Sequence, residues 1–351
     1  MPETLTTALL DALPFAILLV NRMEKVAWAN PVARSMFGPD LPGRPFVTVL
    51  RQPSIGEALE AALAQGAPGQ VRARLTAGGR EIAALATVAP LPQDADLRMP
   101  EGGAMVVIED VTAVEDAEAM RRDFVANVSH ELRTPLTALM GFIETLRGAA
   151  RDDPAARDRF LSIMEREAAR MNRLVGDLLS LSRVEAEERR RPTAEVDLTA
   201  VLKGAVQTLQ PAAEAQKVAL IREGAEGRLP VQGDPDQLTQ VFANLVENAI
   251  KYGGAGGEVR INVSRIAHEP VLRGAALKVE VIDRGEGIEE IHLPRLTERF
   301  YRVDTHRSRE QGGTGLGLAI VKHIVARHRG RLKIESEKGK GSRFIVLLPA
   351  I

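Results

Sequence analysis

The sequence of 351 residues contains no cysteine. Disulfides, thiol nucleophiles, thiolate metal sites and cysteine-linked chromophores are therefore excluded. The chain also has no excess of positive charge, since its formal net charge is −1 and no long basic block occurs. This argues against direct binding of nucleic acid. Long apolar runs are absent near the N-terminus, where residues 15–20 are too few to span a bilayer, and no signal-peptide pattern precedes them. We therefore expect a cytoplasmic protein without a membrane span.

Composition and length are those of a globular protein with two or three domains, since charged residues make up 26% and hydrophobic residues 45% of the chain. The first segment, residues 1–111, alternates short strand-like runs with short helices. FAILLV (15–20) and KVAWAN (25–30) are typical of strands, Asn30-Pro31 opens a helix, and Gly78-Gly79 marks a hairpin turn. This pattern predicts an α+β domain around one antiparallel sheet.

The second segment, residues 112–192, has the periodicity of two long helices. Thr112 and Glu115 suggest a capping box at the start of the first helix, and Asp153-Pro154 a cap for the second, which should end at the arginine-proline run 189–192. The apolar stripe of the first helix is Val125, Val128, Leu132, Leu136, Leu139, Ile143 and Leu146. Because two helices alone cannot bury such stripes, we expect two chains to form a four-helix bundle, hence a homodimer.

The third segment, residues 193–351, changes to a mixed α/β pattern. Helices are predicted at 198–216, 235–252 and 315–328, and strands at 258–266, 277–283, 332–337 and 343–348. The whole chain is thus predicted to be a multidomain α+β protein.

His130 lies outside the apolar stripe of the first long helix, so its imidazole should be exposed. A single surface histidine usually has no function, but Glu131 next to it can accept the imidazole proton and leave the other ring nitrogen nucleophilic. Thr134 is one turn away on the same face, where its hydroxyl can hold a water. Pro135 cannot donate to the carbonyl of Glu131, which predicts a bend just below the histidine.

Three polar or glycine-rich motifs follow in the third segment. In NLVENAIKY (244–252), Asn244, Asn248 and Lys251 lie on neighbouring turns and suit hydrated Mg²⁺ and phosphates, although ordinary polar surface would look similar. In DRGEGI (283–288), Asp283 can accept a hydrogen bond from an exocyclic amine, and two glycines let a ring approach the backbone. GGTGLGL (312–318) opens a helix whose N-terminal amides can bind an anion. Each motif alone is weak, but their ordered combination is specific.

In this order, SHELRTPL, NLVENAIKY, DRGEGI, ERFYRVD and GTGLGLAI resemble the bacterial sensor histidine kinases with a GHKL-type ATP-binding fold, from about residue 113 to 348. Residues 293–323 resemble the phosphate-regulon sensors of that family, and AWANPVARSMFG resembles a PAS domain. The resemblance implies a PAS-like sensor domain at 1–111, a dimerisation and histidine phosphotransfer domain at 112–192, and a catalytic ATP-binding domain at 193–351, formed as an α/β sandwich.

The resemblance also implies residue roles. His130 would be autophosphorylated with Glu131 as general base, and Thr134 would place water for dephosphorylation of a partner. Asn248 would ligate Mg²⁺, Asp283 would accept from adenine N6, and Arg302 would approach the γ-phosphate. The complete ATP site would comprise Asn244, Asn248, Lys251, Tyr252, Asp283, Gly285, Gly287, Arg302, Gly313, Thr314, Gly315, Leu316 and Gly317. The last glycines would border a lid at 303–312, and His323 and His328 are expected on the surface.

The implied partners are a second copy of the chain and a separate response regulator of phosphate-starvation control, which the kinase would also dephosphorylate. The resemblance also implies an accessory regulator of phosphate transport as a partner of the PAS domain. With no histidine before His130, that domain excludes a histidine-ligated haem; a cofactor-free docking domain is favoured over one that binds flavin or a metabolite. Two alternatives are disfavoured. The segment SHELRTPL on a dimerising hairpin argues against a GHKL-type ATPase or serine kinase, and the intact His130, Glu131, Asn248 and Asp283 argue against an inactive scaffold that sequesters a regulator.

Overall fold

The computed structural model describes residues 5–93, 99, 101–188, 190–253, 256–303 and 313–351. The chain forms two compact units, Met1–Ala126 and Asn127–Ile351. The predicted lid at 303–312 lies outside the described residues except at its first position.

The first unit is built on a five-stranded sheet of order β2-β1-β5-β4-β3, with every neighbouring pair antiparallel. Its elements are α1 (Leu5–Ala12), β1 (Ala16–Asn21), β2 (Val26–Ala29), α2 (Pro31–Phe37), α3 (Phe46–Val49), α4 (Pro53–Gln65), β3 (Gly69–Ala77), β4 (Arg80–Leu91) and β5 (Gly103–Asp110). This confirms the predicted α+β fold around one antiparallel sheet.

Local chemistry explains the start of this unit. Asn30 is buried and caps α2, because its side-chain oxygen accepts from the amide of Ala33 at 2.9 Å. The same oxygen accepts from Ile17, and the amide group donates to the carbonyl of Phe15 at 2.8 Å. A single asparagine thus joins the helix to the first strand. Both residues of the Gly78-Gly79 turn have positive φ, as a tight hairpin requires.

Two long helices follow, α5 (Thr112–Arg147) and α6 (Pro154–Ala186). Asp153 caps α6 as predicted. The capping box at Thr112 is wrong, because its hydroxyl accepts from the amide of Ala83, and Asp110 accepts from the amide of Thr112 instead. Helix α5 runs on through Pro135, so the proline does not end it. Helix α6 ends before the arginine run, at Ala186.

The rest of the second unit is an α/β sandwich, as predicted. Its elements are β6 (Glu195–Asp197), α7 (Leu198–Ala215), β7 (Ala219–Gly224), β8 (Pro230–Gln232), α8 (Pro235–Gly253), β9 (Glu258–Glu269), β10 (Gly274–Asp283), a 3₁₀ helix (Glu290–Arg295), α9 (Gly317–Arg327), β11 (Arg331–Glu337) and β12 (Gly341–Pro349). The sheet order is β11-β12-β10-β9-β7, with β7 parallel to β9 and the other pairs antiparallel. Strands β6, β7 and β8 were not predicted.

Helix α8 is central to this sandwich, since it packs against α7, α9 and β10. One face of it is entirely buried, including Phe242, Leu245 and Ile250. The opposite face carries the two asparagines and the lysine of the NLVENAIKY motif. In the part of the chain that the structure describes, no helix combines the length and the apolar composition needed to cross a bilayer.

Candidate functional site

A cavity of about 310 Å³ opens in the second unit, where α8, the end of β10 and the start of α9 meet. It brings together most residues that the sequence predicted for nucleotide binding. Those that line it are Asn244, Asn248, Lys251, Tyr252, Asp283, Gly287, Arg302, Gly313, Thr314, Gly315 and Gly317. Three segments far apart in the sequence therefore share one cavity.

Asp283 lies at the end of β10 and is nearly fully buried. Its Oδ1 atom accepts from the backbone amide of Gly285 at 2.9 Å and from that of Ser342 at 3.2 Å. Burial raises the pKa of the Asp283 carboxyl, and the two backbone amides oppose that rise. Because Oδ1 has two donors, Oδ2 is the oxygen left for a ligand.

Helix α8 contributes the polar side of the cavity. Asn244 donates from Nδ2 to the carbonyl of Gly317 at 3.3 Å, which ties α8 to the first residue of α9. Lys251 Nζ lies 2.6 Å from Glu247 Oε1, one turn earlier on the same helix. Helix α9 begins after Leu316, whose side chain cannot cap it. The first amides of α9 therefore have no side-chain acceptor at the cap position, the condition under which a helix N-terminus binds anions.

Two glycines of the site are required by the backbone itself. Gly315 has a φ of 74°, and a Cβ there would lie 2.9 Å from the Cα of Phe300, whose own φ is 64°. A Cβ on Gly287 would collide with the carbonyl oxygen of Glu337. These positions therefore need glycine for close chain approach, whether or not a ring approaches them.

Two predicted residues of the site do not line the cavity. Gly285 packs against the backbone of Tyr252 and Gly253, where a Cβ would clash, and its amide holds Asp283. Leu316 is fully buried at the start of α9. Both lie next to residues that line the cavity, and their predicted contact with ATP stays a prediction.

The helical hairpin presents the predicted phosphoacceptor. His130 is exposed on α5, as predicted. Glu131 Oε2 accepts from Arg170 Nη2 of α6 at 2.9 Å and from Arg302 Nη2 at 3.1 Å. The exposed fractions of the three side chains are 15% for Glu131, 12% for Arg170 and 6% for Arg302, so these ion pairs are shielded from water.

Arg302 connects the two parts of the site. It lines the cavity and at the same time contacts Glu131, the neighbour of His130. Its Nε atom is buried and has no hydrogen-bond acceptor among the described residues. A buried guanidinium nitrogen without an acceptor is costly, so this atom suits an incoming anion.

Thr134 lies one turn after His130, and its hydroxyl donates to the carbonyl of His130 at 3.1 Å. The oxygen of that hydroxyl keeps its lone pairs and can still accept from a water.

Sequence analysis missed several residues of the site. Arg173 and Asp177 of α6 line the cavity, as do Glu247, Tyr301 and Lys338. Glu247 directly precedes Asn248 and could have been found from the motif. No pattern in α6 singled out Arg173 or Asp177, because their role depends on where the hairpin meets the sandwich.

His328 contradicts its predicted place on the surface, because it is 1% exposed. Its Nε2 atom accepts from the backbone amide of Asp234 at 3.0 Å, and its Nδ1 contacts the carbonyl of Ile324 at 2.7 Å, which requires Nδ1 to carry the proton. Burial, first of all, lowers the pKa of His328. His323 is partly exposed and lies 3.4 Å from Glu188.

Three family models match the chain. Residues 233–351 match the histidine kinase-, DNA gyrase B- and HSP90-like ATPases, residues 120–187 match the His Kinase A (phospho-acceptor) domain, and residues 4–66 match the PAS domain. The chain therefore belongs to the sensor histidine kinases.

Curated relatives agree with this. The chain is 45% identical to the phosphate regulon sensor protein PhoR of Pseudomonas aeruginosa, over 68% of this chain and 52% of PhoR. It is 41% identical to the sensor-like histidine kinase SenX3 of Mycolicibacterium smegmatis, over 70% and 62%, and 38% identical to the sensor protein kinase WalK of Staphylococcus aureus, over 70% and 58%. The chain spans about half to three fifths of the length of these relatives.

Among solved structures, the histidine kinase ThkA in complex with the response regulator protein TrrA aligns with 98% of the chain and 98% of its own length, at a TM-score of 0.52 and 22% identity. This likeness concerns the fold alone.

Proposed function

We propose that the chain is an ATP-dependent protein-histidine kinase that phosphorylates itself on His130. The observation that carries the proposal is the position of Arg302, which lines the cavity and contacts Glu131 beside His130. An arginine in that place can move from Glu131 to the terminal phosphate of a bound nucleotide, beside the phosphoacceptor helix.

In this reaction a ring nitrogen of His130 attacks the γ-phosphorus, the bond to the bridging oxygen breaks, and ADP leaves. Glu131 takes the proton from the other ring nitrogen. In the structure, however, the Glu131 carboxylate oxygen Oε2 already accepts from two guanidinium groups, those of Arg170 and Arg302. Arg302 therefore has to leave Glu131 for the γ-phosphate, while Arg170 keeps the carboxylate oriented. The buried Nε of Arg302 supports this exchange.

The cavity would take ATP with adenine at Asp283, which accepts from the N6 amine, and Tyr252 near the nucleoside. Lys251, Asn244 and the first amides of α9 would face the phosphates. The backbone at Gly313, Thr314, Gly315 and Gly317 would supply the remaining predicted contacts with ATP.

Mg²⁺ would be held by Asn248. Its side chain lines the cavity next to Asn244 and Glu247, an oxygen-rich set that suits this ion together with waters and phosphate oxygens. Among the described residues no group of three or more histidine, aspartate or glutamate side chains could hold a metal, so the phosphates would complete the coordination. The ion would neutralise phosphate charge.

Incubation of the full chain with γ-labelled ATP and Mg²⁺ tests the proposal. We expect label on the protein that is lost in acid and kept in base, and no label on His130→Gln, although ADP should bind this variant with unchanged affinity. An ATPase would release labelled phosphate without labelling the chain, a serine kinase would give acid-stable label, and a scaffold would give none; each result would refute the proposal. His268→Gln, on β9 and outside the cavity, is the matched control.

The four-helix bundle is part of the proposal. Apolar side chains of both hairpin helices are exposed in the single chain, among them Leu136 (49%), Ile143 (44%), Val175 (44%) and Leu179 (56%). Exposed apolar surface of this extent needs a cover, and a second hairpin offers the same surface. We therefore propose a homodimer through residues 112–192, with the PAS-like domain at 1–111 and the ATP-binding domain at 193–351.

The kinase would pass its phosphate to an aspartate on a separate response regulator, in the control of phosphate starvation. A relative named for the phosphate regulon supports this choice. Thr134 would place the water that hydrolyses the aspartyl phosphate. We place these reactions in the cytoplasm, where an accessory regulator of phosphate transport could reach the PAS domain.

A further inference from the structure

One wall of the cavity comes from the helical hairpin. Asp177 and Arg173 lie one turn apart on α6, and both line the cavity that the sandwich forms with α8 and α9. Asp177 is partly buried, and burial raises the pKa of its carboxyl against the opposing effects of Thr314 and Arg173.

Asp177 is joined to the start of α9 by a short chain of hydrogen bonds. Thr314 donates from its hydroxyl to Asp177 Oδ2 at 2.6 Å. The same hydroxyl accepts from the backbone amide of Leu316 at 3.3 Å. Because Leu316 has no capping side chain, this end of the helix is held by Thr314 with its acceptor Asp177, in addition to the contact of Asn244 with the carbonyl of Gly317.

A carboxylate is a poor phosphate ligand, since like charges repel and Glu247 already adds a negative charge near Asp177. Asp177 is therefore not placed to contact a polyphosphate directly. Instead, Asp177 accepts a hydrogen bond from Thr314, and Thr314 in turn holds the backbone amide of Leu316 at the start of α9.

We propose that Asp177 is a positioning residue for phosphoryl transfer: through Thr314 it aligns the start of α9, and with it the γ-phosphate, while the ATP-binding domain lies against α6. The proposal rests on the proposed kinase function and adds a residue from the phosphoacceptor hairpin to its nucleotide site. Because Asp177 belongs to the hairpin, the alignment exists only when hairpin and sandwich are in contact. When the ATP-binding domain is not in contact with the hairpin, a bound nucleotide would not be aligned by Asp177.

The test uses the full chain with Asp177→Ala, Thr314→Val and the double variant. For each, the maximal rate of autophosphorylation with γ-labelled ATP, the ATP concentration at half of that rate, and the dissociation constant of ADP are measured. Asp177→Ala is expected to lower the maximal rate at least tenfold and to change ADP affinity less than threefold. The double variant should be no more than threefold slower than the slower single variant, because Asp177→Ala and Thr314→Val break the same hydrogen bond between the two side chains.

Asp158→Ala is the matched control, since Asp158 is exposed near the start of the same helix, and its rate should equal that of the unsubstituted chain. The positioning role is overturned if Asp177→Ala retains its rate within twofold, if the two losses multiply in the double variant, or if ADP affinity falls as much as the rate. Absence of label on the unsubstituted chain would refute the proposed function itself, and the role of Asp177 with it.

Discussion

Replacing Asp283 by asparagine tests the adenine contact with a change of one atom. Asp283 Oδ1 accepts from the amides of Gly285 and Ser342. In Asp283→Asn, the side-chain oxygen must stay at that position, because turning the amide would point its NH₂ group at two backbone donors. The NH₂ group is therefore forced to the place of Oδ2 and meets the N6 amine of adenine, donor against donor.

The expected cost follows from the bond that is lost. A hydrogen bond to a charged group contributes about 1.5–3 kcal/mol. At about 1.4 kcal/mol per tenfold change, ADP should bind roughly ten- to a hundredfold more weakly. Guanine carries an acceptor at the equivalent position, so the ratio of ADP to GDP affinity should fall further than ADP affinity alone.

Titration calorimetry of the full chain with ADP and GDP measures both quantities. Asp236→Asn is the control, because Asp236 is exposed in the first turn of α8 and outside the cavity. The melting temperature of each variant shows whether the fold is kept. ADP affinity of Asp283→Asn within threefold of the unsubstituted chain would refute the assignment.

Three further predictions concern other parts of the second unit. Thr134→Ala should lose most of its dephosphorylation of a phosphorylated response regulator and keep autophosphorylation of His130; equal decay of the phospho-regulator with both proteins would exclude the placed water. Asn248→Ala should abolish Mg²⁺-dependent autophosphorylation, while His130 still accepts phosphate from a phosphorylated regulator. Normal autophosphorylation of this variant in Mg²⁺ would show that Asn248 is not a ligand of the ion. His328 has a folded-state pKa below the ordinary value of 6.5, so below pH 6.5 the unfolded chain binds the proton first and the free energy of unfolding should fall with decreasing pH, by at most about 1.4 kcal/mol per unit, until the lowered pKa is reached. Denaturant titrations between pH 5 and 8 measure this, and a His328→Gln variant with the same slope would show that another group is responsible.

Much of the fold could be predicted because it depends on neighbours in the sequence. Asn30 and Asp153 cap helices whose amides lie two or three residues away, and Gly78-Gly79 turns a hairpin between adjacent strands. The capping box at Thr112 failed for the opposite reason, since its hydroxyl bonds to Ala83 on another strand. Strand β7 was missed because it is a short strand that forms only by pairing with β9, which lies much further along the sequence.

Of the site, the sequence by itself determined the motif residues, His130, Asn248 and Asp283 among them, because each motif is a short run whose chemistry can be read locally. Only the tertiary structure decided which distant groups meet them. Arg302 reaches Glu131 across 171 positions, and Asp177 accepts from Thr314 across 137. Such contacts depend on how α6 packs against the sandwich, and helical periodicity specifies which residues share a face but not what that face will touch.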